Sequence, residues 1–280
     1  MSVLRACRLH GISRQGFYKR SVAHKLNAAL EARLLDEVKE LRREQPFMGG
    51  RKLFRETSAN SHMGRDAFFG LLRRHRLLIK RKARFAITTT AGLIHYPNLY
   101  REAALTGAAQ VLVSDITYIK TDDGFAYAAL VTDAFSRKIL GYDLSTSLEA
   151  EGALRALRMA LGEIDDARGV IHHSDRGCQY SSSAYVAQLE AAGMRISMTE
   201  RHHCAENALA ERVNGILKHE FMLHATFRSA RQAKRALASA IYIYNHKRPH
   251  LSLGYAKPAQ VHAASMTGTI NPKLSTFSRT

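Results

Sequence analysis

The chain has 280 residues, 46% of them hydrophobic, with three cysteines, no tryptophan and a formal net charge of +18. That is room for one sizeable core or two to three small ones, yet no run of about 18 apolar residues exists to span a bilayer. The opening MSVLRACRLHGISRQGFYKR lacks the apolar stretch of a secretory signal. Cys7, Cys178 and Cys204 form no CxxC pair, which suits a reducing cytoplasm rather than a disulfide framework.

The charge points to a polyanionic partner, and its distribution is uneven. Residues 1–105 hold 22 Lys/Arg against 8 Asp/Glu, residues 106–225 hold 11 against 16, and residues 226–280 hold 9 against none. Two basic flanks therefore enclose an acidic middle. That is the layout of a metal-dependent nuclease, whose flanks neutralise phosphates while its centre holds cations.

In chain order, Val3 to His10 reads as a short helix, Gly11 as a turn and Ser13 as the N-cap of a second helix. Together they suggest a partial helix-turn-helix over residues 1–21, presenting Arg14, Gln15, Lys19 and Arg20. Leu30, Leu34, Leu35, Val38 and Leu41 share one helical face, and Pro46 ends that helix. A further helix has Phe68, Leu71 and Leu72 on one side and Arg73, Arg74 and Arg76 on the other, running into Lys80, Arg81 and Lys82. Residues 22–90 are thus expected to be a small helical DNA-binding domain, followed by a linker over 91–107.

From 108 the texture changes. VLVSDITYI, FAYAALVTDA and RKILGYDLS read as three strands joined by short turns. A helix over 149–164, the short strand GVIHHSD, a serine-capped helix SSAYVAQLEAAG, the strand MRISMT and a helix over 205–224 follow. This order predicts an α/β domain over 108–225, a mixed five-stranded sheet covered by helices. The last segment, 226–280, is expected to be a basic helix at about 229–245 and a tail.

Three carboxylates stand out by position. Asp115 lies inside a strand among apolar or small neighbours, where a charge is costly unless something binds it. Asp175 ends the fourth strand, where α/β sheets hold ligands. Glu211 lies on the helix ENALAERVNGILKHE, which also projects Asn207 and Lys218 from the same face, with Asn214 near its edge. Brought together, three carboxylates would need divalent cations, and hard oxygen ligands point to Mg²⁺ or Mn²⁺. Two such ions clamp the attacking and leaving oxygens of a phosphodiester. Lys218, two turns beyond Glu211, is placed to grip a phosphate.

The spacing is Asp115, 59 residues, Asp175, 35 residues, Glu211, within the words SDITYI, HHSDRGCQYSS and ENALAERVNGILKHE. Here the sequence resembles the DDE transposases of the insertion-sequence-3 family, specifically their OrfB product, and more distantly the retroviral integrase core. YNHKRPHLSLGYAKPAQ is similar to that family's C-terminal signature, and residues 30–85 are similar to its helix-turn-helix segment. The resemblance implies a ribonuclease-H-like core and Asp115, Asp175 and Glu211 as catalytic, metal-binding residues. It further implies two Mg²⁺ (or Mn²⁺) ions per active site, cleavage of element ends, and 3′-OH strand transfer into double-stranded DNA. A homo-oligomer, an upstream OrfA product as partner and a cytoplasmic, nucleoid-associated location follow from the same likeness. Two departures stand out: Leu112 and Val113 occupy the place of the family's tryptophan, and the glutamate helix opens Glu206-Asn207-Ala208 rather than Asp-Asn-Ala.

Other groups are weaker. His172, His173, His202, His203 and Cys204 fit no zinc-finger spacing, because adjacent residues in extended chain point opposite ways; some of these histidines are expected at the rim of the site, near phosphate. Cys178 is expected to be a small buried turn residue. Arg248 and His250 read as phosphate contacts of the basic tail, and Tyr242 and Tyr244 as core residues of the last helix. The competing function is a DNA-binding regulator of transposition that keeps the fold without catalysis; a nuclease without strand transfer is a third.

Overall fold

The structure, a computed structural model, describes residues 3–79, 96–200 and 206–269. Lys80, Arg81, Lys82, His202, His203 and Cys204 lie outside them. The chain divides into two compact units, Met1–Lys82 and Ala83–Thr280. No helix among the described residues is long and apolar enough to cross a membrane.

The first unit is helical: α1 (Val3–Leu9), α2 (Arg14–Glu44), α3 (Gly50–Glu56), α4 (Ala59–His62) and α5 (Arg65–Arg74). Ser13 caps α2 as expected, its hydroxyl accepting from the Gly16 amide at 3.0 Å. The helix does not stop near residue 21, however. It runs unbroken for 31 residues, so the expected boundary between a partial helix-turn-helix and a second helical domain falls inside one helix. No Gly or Pro interrupts residues 17–44, so the backbone has no reason to break there. Leu34 and Val38 of α2 pack with Met48, Leu53, Ala59, Phe68, Leu71 and Leu72 as the core. Two polar ties close it. Glu37 accepts from the amide and hydroxyl of Ser58 at 2.7 and 2.6 Å, and Arg42 donates to the carbonyls of Met48 and Leu77 at 3.2 and 2.7 Å.

The second unit carries the expected mixed five-stranded sheet, in the order β3-β2-β1-β4-β5. The strands are β1 (Val111–Thr121), β2 (Gly124–Asp133), β3 (Ile139–Ser145), β4 (Ile171–Ser174) and β5 (Arg195–Met198). β1, β2 and β3 form an antiparallel meander, while β4 and β5 run parallel to β1. One face packs on α6 (Ala150–Leu161) and α7 (Ser183–Ala191), through Leu112, Val131, Leu140, Leu154, Leu157 and Leu189. The other packs on α8 (Ala208–Glu220) and α9 (Ala230–His246), through Ile119, Leu130, Leu144, Val213, Leu217 and Leu237. Along β1, Leu112 and Ile116 face the first of these cores and Ile119 the second, on opposite sides of the pleat. At β3, α6 comes so close that a Cβ on Gly141 would lie 2.0 Å from the Ala156 carbonyl oxygen.

Two flanking segments belong to this unit rather than to linkers or tails. Leu99, Tyr100, Ala103 and Leu105 pack against Val111, Val113 and Ile171, so the described part of the expected linker covers the sheet. At the other end, α9 docks on β3 by a two-way amide bond: Asn245 accepts from the Ile139 amide at 3.0 Å and donates to its carbonyl at 2.9 Å. Leu253, in the 3₁₀ turn Leu251–Leu253, and Val261, in α10 (Pro258–Met266), then bury Phe135. Asp133, which has no obvious role in the sequence, is fully buried at this junction. Its carboxylate accepts from the amides of Ala109 and Phe135 and lies 3.3 Å from Nδ1 of His262.

Candidate active site

β1 and β4 pair in parallel up to Ser114↔Ser174. The next residues on the two chains are Asp115 and Asp175. In-register neighbours on parallel strands point the same way about 5 Å apart, so the end of β4 sets both carboxylates side by side. The structure thus brings together the two aspartates singled out from the sequence.

Each is held locally. Asp115 accepts from the Ile116 amide at 3.0 Å through Oδ1 and from the side-chain amide of Asn214 at 2.7 Å through Oδ2. Asp175 accepts from the Gly177 amide at 3.0 Å, an Asx turn that aims its carboxylate. A Cβ at Gly177 would sit 3.0 Å from both Asp175 Oδ1 and Gln179 Oε1, so any larger residue there would press on the Asp175 carboxylate. Arg176 ties the same turn to the carbonyls of Thr199 and Glu200 at the end of β5, and Gln179 donates to Leu148 at 2.7 Å.

α8 lies across β1 and is set in register by two asparagines seven residues apart. Asn207 donates to the Ser114 carbonyl at 3.1 Å, and Asn214 donates to Asp115. Both are buried, and the side-chain oxygen of each has no partner. Glu211 stands between them in the stripe and is exposed. Glu206, one atom longer than the family's aspartate, bonds Arg101 at 2.7 Å and the Glu200 amide, tying the start of α8 to the covering segment.

The electrostatics match the crowding. Burial and the charge of Asp175 push the Asp115 carboxyl up to about 7; the bonds from Asn214 and Ile116 pull the other way, and Glu211 adds to the rise. Lys218 is half-buried. Burial lowers its pKa and the charge of Asp115 raises it, so its ammonium belongs to the carboxylate cluster. Tyr180 is buried beneath, its hydroxyl without a partner; burial, Tyr185 and the two aspartates hold that phenol neutral. Every donor in the set is a hard oxygen, and the orphaned Oδ1 of Asn214 adds one more acceptor beside Asp115, a chemistry that fits Mg²⁺ or Mn²⁺. Among the described residues no three His, Cys, Asp or Glu side chains gather closely enough to hold an ion as they stand. Glu211, though exposed, lies close enough for its charge to act on Asp115.

Several expectations need correction. His172 and His173 are not at a rim: both are buried in β4. His172 bonds Ser114 and Tyr185, His173 bonds Ser197 and the Glu206 carbonyl, and burial lowers their pKa values to about 3 and about 4. Cys178 is exposed, because the turn after Asp175 faces outward there. Asn207 serves the backbone of β1 rather than a surface. Arg248 is 4% exposed and forked onto Glu220 at 2.7 and 2.8 Å, and His250 is 9% exposed, bonded to Ser252. A buried guanidinium already paired with a carboxylate is not free for phosphate. Tyr244 is in the core as expected, but Tyr242 is 57% exposed. In the first unit Arg73, Arg74 and Arg76 are exposed, with Arg74 paired to Glu31.

Asn214, Gly177 and Tyr180 carry no distinctive signal of their own; only the i, i+3 spacing of Glu211 and Asn214 hints that they share a face.

Comparison with known proteins places the chain in a family. One integrase core domain model matches residues 106–204 and a second matches residues 192–258. The InsF transposase of insertion sequence IS3A from Escherichia coli (strain K12) is 39% identical over 158 residues, 55% of this chain and 54% of that protein. Among solved structures, the catalytic core of HTLV-2 integrase in complex with magnesium aligns with a TM-score of 0.45 at 15% identity, over 56% of this chain and 98% of that one. That likeness is too remote to add to the reading. The uncharacterized 31 kDa protein of insertion element IS600 from Shigella sonnei is 34% identical over 261 residues, 90% of this chain and 96% of that protein. A match of that extent, through the acidic middle and both basic flanks, places the whole chain: it belongs to the insertion-sequence-3 family of DDE transposases.

Proposed function

We infer that this transposase cuts the ends of its insertion sequence and joins the freed 3′-OH to double-stranded DNA, with Asp115, Asp175 and Glu211 as the metal-holding catalytic residues. The observation that carries this is that Asp115 and Asp175 directly follow the last parallel pair, Ser114↔Ser174, close enough for their charges to act on each other, with the Glu211 helix held over β1 by Asn207 and Asn214. Two Mg²⁺ or Mn²⁺ ions there would activate the attacking oxygen and stabilise the leaving one. The chain's own groups have distinct tasks. Asp115 and Asp175 would hold the ions from the sheet and Glu211 from α8. Lys218 offsets the negative charge of Asp115, and Asn214 keeps that carboxylate from rotating. Arg73, Arg74 and Arg76, with Lys80, Arg81 and Lys82, supply phosphate contacts from the first unit. Joining two element ends calls for more than one carboxylate set, hence a homo-oligomer, and an upstream OrfA product is a candidate partner for recognising those ends.

The test is incubation with Mg²⁺ or Mn²⁺ and duplexes copying the DNA that flanks the gene. Metal-dependent 3′-end cleavage and joining is expected, falling by roughly 10³-fold or more in Glu211→Gln, about 4 kcal/mol of barrier. Duplex binding with no cut, even with the upstream product added, would sink the reading.

Asn214→Ala leaves the Asp115 carboxylate without its side-chain donor. Activity is expected to fall about 10- to 100-fold, with the metal concentration for half-maximal rate shifted upward and the loss partly recovered at high Mn²⁺. A metal titration that superimposes on wild type would show that Asn214 only packs.

A further inference from the structure

We propose that the outer face of α9 is a contact surface for the phosphate backbone of double-stranded DNA. The proposal deepens the transposase reading and rests on it. α9 buries Ala233, Leu237, Ala240, Ile241 and Tyr244 against the sheet. At 100° per residue, Arg231, Arg235, Ser239, Tyr242 and His246 fall within a quarter-turn on the opposite side, and all five are exposed. Exposed Arg228 leads into the stripe. From Arg231 to His246 it runs about 22 Å, roughly six base-pair steps of duplex.

Charge pairing sets this face apart from the rest of the region. Lys234, nearer the sheet, shares Asp143 with Arg155, at 3.4 and 2.7 Å, and Arg248 is paired with Glu220. Arg228, Arg231 and Arg235 have no acidic partner among the described residues, and residues 226–280 contain no Asp or Glu. Three uncompensated guanidinium groups on one edge repel one another unless a polyanion lies across them, and guanidinium is the side chain best shaped for phosphate. Tyr242 is the one large apolar group of the stripe, its ring 4.9 Å from that of His246. An interface between two copies of this chain would need a wider apolar centre and would bring like charges together, so a nucleic acid fits the face better than a second copy.

The experiment uses the full chain and a 30-base-pair duplex of arbitrary sequence in EDTA, so that binding is read apart from chemistry. Affinity is measured across a salt series for wild type, Arg231→Gln/Arg235→Gln and Lys234→Gln. Each phosphate contact adds about 0.9 to the slope of log affinity against log salt, so the double variant is expected to lose nearly 2 from that slope. Lys234→Gln, removing a cation that lies off the stripe and within 3.4 Å of the Asp143 carboxylate, is expected to change the slope by much less. Equal slopes for the double variant and wild type overturn the proposal while leaving the Glu211-dependent cleavage reading intact. A changed oligomeric state with an unchanged slope overturns it in favour of a contact between copies. The substituted side chains are exposed, so an unchanged melting temperature is the check that the variant has folded.

Discussion

Asp115→Asn is expected to abolish DNA cleavage and, in EDTA, to make the protein more stable. The carboxyl sits at about 7 in the fold against 3.8 ordinarily, first because it is buried and then because Asp175 stands beside it. Below about pH 4 both folded and unfolded chains hold the proton and the shift costs nothing. Between about 4 and 7 the unfolded chain has released it and the folded chain has not, so stability drains away as pH rises. Above about 7 the folded state carries the full cost, roughly 2 kcal/mol once solvent access is allowed for. Asparagine has the same shape without the charge, and Asn214 can turn its amide to offer its unpaired oxygen. In a unit of about 200 residues this corresponds to a melting temperature several degrees above wild type at pH 8, with the difference closing toward pH 4. Divalent metal should reverse the order by stabilising wild type alone. A variant that melts below wild type at pH 8 in EDTA would mean that the Asp115 charge is not strained.

The largest loss of stability is expected from Gly141→Ala. The new Cβ would meet the Ala156 carbonyl at 2.0 Å, the Ala160 amide nitrogen at 2.7 Å and the Ala160 Cβ at 2.9 Å. Two of these are backbone atoms of α6, so no side chain can rotate away. The helix has to lift from β3, loosening Leu154, Leu157 and Ala160 from the core. The cost is about 3 kcal/mol or more, a fall in melting temperature on the order of 10 °C. Gly152→Ala, across the same contact on α6, is the control: its nearest neighbour would be the Ser145 Cβ at 3.1 Å, and the gain in helix propensity offsets the squeeze. Equal melting of both variants and wild type would contradict the close approach of α6 to β3.

The sheet was legible because its strands are β-rich and separated by turn residues, and because burial on both faces leaves a long apolar run, FAYAALV, in β2. The glutamate helix was legible from its period. The end of α2 was legible at Pro46; its continuity is carried by Tyr18, Val22 and Leu26, which lead into Leu30 at four-residue spacing yet stay exposed. The pairing of Asp115 with Asp175 was anticipated from strand ends; its register, Ser114 against Ser174, was not.

What the amino-acid sequence determined by itself is the order of elements, the two spacings that join the carboxylates, and the sign of charge in each third of the chain. These are local or additive properties, encoded by periodicity and composition. What only the tertiary structure decided is which polar groups meet. Arg248 reads as a surface cation because everything near it in sequence is basic; the acid that draws it inside, Glu220, comes from another helix. Asn214 reads as an ordinary helix residue, yet it holds a carboxylate 99 positions away. A buried polar group must find its partner wherever the fold supplies one, and that partner is fixed by packing between elements rather than by the neighbours along the chain.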